Sequence, residues 1–184
     1  MTANPSKKAS YFYHLDRDNK LCWLGDNWNK FAIENKGGEK VLAENLKGKS
    51  LWSQIKDDET RQIYLDLVNK VRKTGNSLRV KAYCDTPALK RELKIIISPL
   101  PEDGIRFESI FIKLTPRKRL AILDKDVPRS ENFIKICSFC KDIKIKENQW
   151  KTTEKAVDHL DLFNQKILPQ LTHSICPSCY KNLI

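Results

Sequence analysis

Two Cys-x-x-Cys pairs near the C-terminus, Cys137 with Cys140 and Cys176 with Cys179, constrain the fold more than any other feature of the chain. A Cys-x-x-Cys turn directs two sulfurs at one point, and four sulfurs are a ligand set that structural zinc prefers. Thirty-five residues, 141–175, separate the pairs. This exceeds the common spacing of about 15 to 20 residues, so the intervening segment must fold to bring the pairs together.

The intervening segment carries enough apolar side chains to form a short helix packed on the two pairs. They are Trp150, Val157, Leu160, Leu162, Phe163, Ile167 and Leu168. A module of this size has a small core, and a bound metal compensates for that. We therefore predict a structural zinc site formed by Cys137, Cys140, Cys176 and Cys179.

Other assignments of these cysteines stay open. The four thiols could be reduced and unliganded, or the pairs could carry out redox chemistry. Catalytic zinc is disfavoured, because four sulfur ligands leave no position for a water molecule. His173 lies three residues before Cys176, where it could replace a cysteine as ligand, support the site from outside the ligand shell, or cap the chain turn.

Charge and length limit the function classes. The chain has 184 residues and a net charge of +11, with lysines and arginines dispersed among acidic residues and mildly concentrated at 70–94 and 117–119. A dispersed charge is typical of a solvated surface, whereas a clustered one would bind phosphates in a salt-dependent way. Nucleic-acid binding is therefore the second interpretation.

The N-terminus lacks the apolar segment of a secretory signal, and no apolar run is long enough to cross a membrane. Six cysteines without such a signal favour metal binding over disulfides. We predict a cytoplasmic protein with no membrane association, in which residues 1–9 are disordered.

Residues 10–114 show the periodicity of an α+β domain. A hairpin is predicted over residues 11–24, followed by a short helix that begins near Trp28. A longer helix is predicted from Asp57 to Gly75, because acidic residues begin it, an apolar stripe continues it and glycine ends it. Three strands follow between residues 78 and 114. The sequence thus predicts helices flanking a five-stranded antiparallel sheet.

The order of these motifs resembles that of a PAS domain. It begins with the hairpin around Leu15-Asp16, continues with the segment 46–52 and the helix ending at Gly75, and closes with three strands containing Arg91. The tail is similar to cysteine-rich tails of bacterial PAS-containing and receiver-type signalling proteins, through 136–141, Trp150, Glu154 and 173–179. The predicted organisation is a PAS-like domain over 10–114, a linker with a helical pattern over 115–129 and a four-cysteine zinc module over 130–184.

The resemblance implies a pocket between the sheet and the helices. A haem ligand is not expected, because the helix 57–75 contains no histidine, and a photoactive flavin is not expected, because neither Cys22 nor Cys84 lies in the required helix motif. Cys22 and Cys84 are predicted to be small buried residues of strands. A filled apolar core is preferred to an open cavity, with the lining residues Phe31, Trp52, Leu67, Val80, Ala82, Leu93, Ile95 and Ile97.

No nucleophile, phosphate-binding loop or other catalytic motif is recognisable. We therefore expect a non-enzymatic sensory or protein-interaction module of bacterial signal transduction that acts through a protein signalling partner. A homodimer is the default assembly, with a seam at Tyr11, Phe12 and Tyr13 beside residues 117–123. A zinc-containing, nucleic-acid-binding transcriptional regulator is the alternative.

Overall fold

The computed structural model describes residues 10–183, so the prediction of a disordered segment 1–9 lies outside the described residues. The N-terminal half contains five strands: β1 (Ser10–Leu15), β2 (Leu21–Leu24), β3 (Leu78–Tyr83), β4 (Leu89–Pro99) and β5 (Ile105–Pro116). Three α-helices lie between β2 and β3, namely α1 (Trp28–Glu34), α2 (Ala43–Leu46) and α3 (Asp58–Thr74), together with 3-10 turns at Glu39–Val41 and Leu51–Gln54.

The first sheet has the strand order β2-β1-β5-β4-β3. β1 pairs antiparallel with β2 on one side and with β5 on the other. The predicted fold class, an α+β domain with a five-stranded antiparallel sheet and flanking helices, is therefore confirmed.

Local sequence signals place α3 at its predicted position. The Asp57 carboxylate accepts a hydrogen bond from the Thr60 amide at 2.7 Å, which satisfies one of the free N–H groups of the first turn. At the other end Gly75 has a φ of 67°, a left-handed conformation that costs glycine little and ends the helix. The apolar stripe of Ile63, Leu67 and Val71 is buried, as its spacing predicts.

Strand alternation separates the aromatic residues of β1. The Tyr13 ring stacks on Phe107 with 5.0 Å between ring centroids, and Tyr11 contacts Phe31 at 4.1 Å. Phe12 faces the opposite way and stacks on Trp23 at 4.7 Å. All three aromatic residues predicted for a dimer seam thus contact rings of their own domain, Tyr11 and Tyr13 on one face of the sheet and Phe12 on the other.

The C-terminal part contains a second sheet rather than only the short helix expected there. Its four strands have the order β8-β7-β6-β9. The elements are β6 (Arg129–Cys137), β7 (Ile143–Lys146), β8 (Gln149–Lys151), α4 (Thr153–His159), β9 (Leu168–Ser174) and α5 (Pro177–Leu183). Within residues 115–129, β5 runs on to Pro116 and a single 3-10 turn covers Ala121–Leu123.

Several residues of the predicted helix consequently have other roles. Trp150 belongs to strand β8, and Phe163 and Ile167 are exposed by 46% and 57%. Val157, Leu162 and Leu168 do form a core, in which they pack with Leu120 and Ile122.

The chain forms two compact units. The first comprises the chain up to Val80 together with Lys94–Phe111, and the second comprises Lys81–Leu93 together with the chain from Ile112 onward. Strands β3, β4 and β5 therefore contribute residues to both units. Among the helices of residues 10–183, none has the length and apolar character needed to cross a bilayer.

Candidate metal centre

The four cysteine sulfurs of the two Cys-x-x-Cys pairs lie within 4.8 Å of one another. Cys140 Sγ and Cys176 Sγ, which come from different pairs, are 3.6 Å apart. A tetrahedral site with zinc–sulfur bonds of about 2.3 Å has sulfur–sulfur edges of about 3.8 Å. The described residues therefore offer a four-sulfur donor set of the size and chemistry that fit zinc.

Parallel pairing of β6 and β9 brings the two cysteine pairs together. Ile136 lies opposite His173 and Cys137 opposite Ser174, so both strands end at the same side of the sheet. Parallel neighbours need a crossover of a dozen residues or more. The β7–β8 hairpin and α4 provide this crossover, which explains the long separation between the pairs.

The second pair begins helix α5. Pro177 occupies the first helical position, where its missing N–H group costs nothing. Cys176 Sγ accepts a hydrogen bond from the Cys179 amide at 3.4 Å, and the Cys176 amide donates to Cys137 Sγ at 3.5 Å. These amides stabilise negative charge on the sulfurs, as a thiolate ligand set requires.

The four sulfurs also interact electrostatically with one another. The pKa of Cys137 is well below its ordinary value, because its sulfur accepts hydrogen bonds from the Cys140 and Cys179 side chains. The same contacts raise the pKa of Cys140 well above its ordinary value and that of Cys179 to about 12. Opposite shifts within one cluster mean that the four sulfurs are strongly coupled, and a cation that binds such a set displaces their protons.

Lys141 adjoins the cluster and donates from Nζ to the Ser138 carbonyl at 2.7 Å. Burial lowers the pKa of Lys141, and the negative charges of Cys84 and Cys137 oppose this effect. Helix α4 contacts the same loop, since Thr153 Oγ1 donates to the Lys141 carbonyl at 2.6 Å. A cation beside the four sulfurs would partly balance the negative charge that they carry as thiolate ligands of a metal ion.

The turn between β3 and β4 belongs to the same unit as the metal centre and is bonded to it. The Tyr83 amide donates to the carbonyl of Phe139, between the two cysteines of the first pair, at 2.8 Å. Phe139 is itself buried at 2% exposure. A backbone hydrogen bond thus attaches the end of β3 to the first cysteine loop, the turn between Cys137 and Cys140.

A buried ion-pair network supports this attachment. Arg117 Nη1 lies 3.0 Å from Asp85 and 2.9 Å from Glu154 of α4, and Nη2 donates to the Thr86 carbonyl at 2.7 Å. The side chains of Arg117 and Asp85 are only 8% and 2% exposed. No local sequence pattern indicates this network, because its partners are 32 and 37 residues apart along the chain.

The remaining histidine and cysteine candidates lie outside the four-sulfur cluster. His173 is exposed on β9. The prediction that Cys22 and Cys84 are buried is wrong: Cys22 is exposed and Cys84 is half-buried. On β2 it is Leu21 that points into the core, so its neighbour Cys22 faces the surface.

The residues predicted to line a PAS pocket are mostly buried. Within the first unit, Leu67, Val80, Ile95 and Ile97 are at most 8% exposed, and Phe31 and Trp52 are half-buried. Ala82 and Leu93 are buried members of the second unit.

A surface cavity of about 700 Å³ lies in the first unit, and none of the residues predicted to line a pocket borders it. The β1–β2 turn and the β4–β5 turn form it, and His14, Asp16, Cys22 and Asp103 are among its lining residues. In the sequence, only the two polar turns point to the position of this cavity.

Comparison with known proteins gives a limited result. No family model matches the chain, and no curated protein matches it. A domain of an HTR-like protein from Haloarcula marismortui is similar in structure, with a TM-score of 0.41 and 15% identity, over 56% of this chain and 98% of that one. The PAS domain of the quorum-sensing receptor RpfR from Cronobacter turicensis, in complex with C12:0, has a TM-score of 0.42 and 13% identity, over 60% of this chain and all of that domain.

Proposed function

We propose that this chain is a non-enzymatic sensory or protein-interaction module of bacterial signal transduction, with a structural zinc ion bound by Cys137, Cys140, Cys176 and Cys179. The clustering of four sulfurs at the ends of two parallel strands is the observation that carries the zinc assignment. The strand order β2-β1-β5-β4-β3, with helices between β2 and β3, supports the PAS-like assignment.

The proposed organisation is a PAS-like domain over residues 10–114, a linker over 115–129 and a zinc module over 130–184. The module acts in the cytoplasm as a homodimer that contacts a protein signalling partner. No haem or flavin takes part. The core lined by Leu67, Ile95 and Ile97 is filled, and signals pass through contacts rather than through a bound metabolite.

The zinc assignment predicts one zinc per chain in protein purified without chelators. Cys176→Ser should remove it and unfold mainly the C-terminal module, because metal affinity and folding energy are coupled in a small zinc module. Elemental analysis measures the stoichiometry, and the release of zinc to a chromogenic chelator measures its retention.

Cys22→Ser is the matched control, since Cys22 is exposed and lies outside the sulfur cluster. It should keep the full zinc content. Wild-type protein without metal, or with a disulfide inside either cysteine pair under reducing conditions, would disprove the assignment.

A further inference from the structure

The sheet β8-β7-β6-β9 is covered by apolar contacts on one face. Ile136 of β6 and Ile143 of β7 are buried there against Ala156 of helix α4. Because side chains alternate along a strand, the neighbours of these residues point to the other face. We call that other face, formed by Phe133, Lys135, Lys144 and Trp150, the open face.

The register places the open-face residues in a row across the strands. The Cys137 amide bonds to the Asp142 carbonyl, and Ile136 pairs with Ile143, so Lys135 and Lys144 stand side by side. Lys144 pairs on its other side with Trp150.

Phe133 lies two residues before Lys135 on β6, hence on the same face, and it is 62% exposed. Trp150 is half-buried and Lys135 is exposed. The Phe133 ring therefore leaves a large apolar surface in water on this face, and the half-buried Trp150 leaves part of its ring there.

Neither lysine forms a salt bridge in the part of the chain that the structure describes. None of the ion pairs formed within residues 10–183 includes Lys135 or Lys144. Like charges directly opposite each other on neighbouring strands are destabilising. This arrangement costs the sheet stability and is relieved by an anionic ligand.

From this arrangement we infer that the open face binds single-stranded nucleic acid, with Phe133 and Trp150 stacking on bases and Lys135 and Lys144 contacting phosphates. Stacking on an exposed ring does not depend on base identity, and flanking lysines follow the backbone between bases. An acidic protein segment would pair with the two lysines, but it would offer no pocket to receive the rings of Phe133 and Trp150. This activity goes beyond the proposed signalling function and does not depend on the identity of the metal.

Fluorescence anisotropy with a labelled, mixed-sequence 12-nucleotide single-stranded DNA and the full-length, metal-loaded protein tests the inference. Phe133→Ala should weaken binding about tenfold, the effect of losing one stacked base. Lys135→Gln with Lys144→Gln should weaken binding and make the slope of log affinity against log salt shallower by about 1.4, or about 0.7 per lost phosphate contact.

Phe163→Ala and Lys118→Gln are matched controls. Phe163 is an exposed ring with the Lys118 ammonium 4.6 Å from its centre, in the same unit, and it follows Leu162, a member of the core against which Ile134 and Leu171 pack. They should leave affinity unchanged, and circular dichroism should show all variants folded. Absent or salt-independent binding, equal losses in the controls, or Phe133-dependent binding of poly-glutamate but not of DNA would overturn the inference.

Discussion

At the scale of single residues, the buried pair Arg117–Asp85 is expected to stabilise its unit more than an exposed ion pair does. Asp85→Asn leaves the Arg117 charge buried with Glu154 as its remaining acidic partner. Breaking a buried ion pair costs about 3 to 5 kcal/mol, and the remaining partner places this case at the lower end. We expect the free energy of unfolding in urea to fall by about 3 kcal/mol.

Lys81→Gln provides the comparison, because the Lys81 side chain is 62% exposed in its pair with Glu92. Exposed pairs contribute less than about 1 kcal/mol. If the two substitutions cost the same, the Arg117 network does not stabilise the unit.

At the scale of elements, the bond between β3 and the first cysteine loop predicts that metal removal loosens the end of β3. Once a chelator has removed zinc, the loop loses its fixed geometry and the Tyr83 amide loses its acceptor, the Phe139 carbonyl. Hydrogen exchange at Tyr83 should accelerate by at least about tenfold.

The amides of Val68 and Val71 in α3 serve as the internal reference, because both residues are fully buried in the first unit. Their exchange should stay slow. If the protein binds zinc but its removal leaves hydrogen exchange at the Tyr83 amide equally slow, the attachment does not hold the end of β3 in place. If the protein binds no zinc, the metal assignment itself is contradicted.

At the scale of the whole molecule, we expect native mass spectrometry to show a dimer with two zinc ions and no co-purified small molecule. The outer side of the first sheet, where Phe12 stacks on the 37%-exposed Trp23, is the expected seam. Trp23→Glu should shift the spectrum to monomer, because it puts charge into an apolar contact.

Ile33→Glu, which alters a side chain 68% exposed on α1, should leave the dimer intact. A wild-type monomer at high micromolar concentration would exclude the seam. A small molecule that stays bound through purification would contradict the filled core and indicate an occupied pocket instead.

The sequence by itself determined the features that depend on neighbouring residues. The capping carboxylate of Asp57, the stripe from Ile63 to Val71 and the left-handed Gly75 define α3 within one short window. Alternation along residues 78–114 predicts the strands, and two short cysteine spacings predict the donor set of the metal centre. Each of these signals is local, because helix period, strand period and turn chemistry act over a few residues.

Only the tertiary structure decided which distant segments meet. The parallel pairing of β6 with β9 makes the intervening segment a crossover that contains a hairpin, and so places Trp150 in a strand rather than in a helix. The same folding joins Arg117 to Asp85 and Glu154 across more than 30 residues. Short apolar runs suit a strand or a buried helix equally well, and burial against a particular partner resolves that ambiguity.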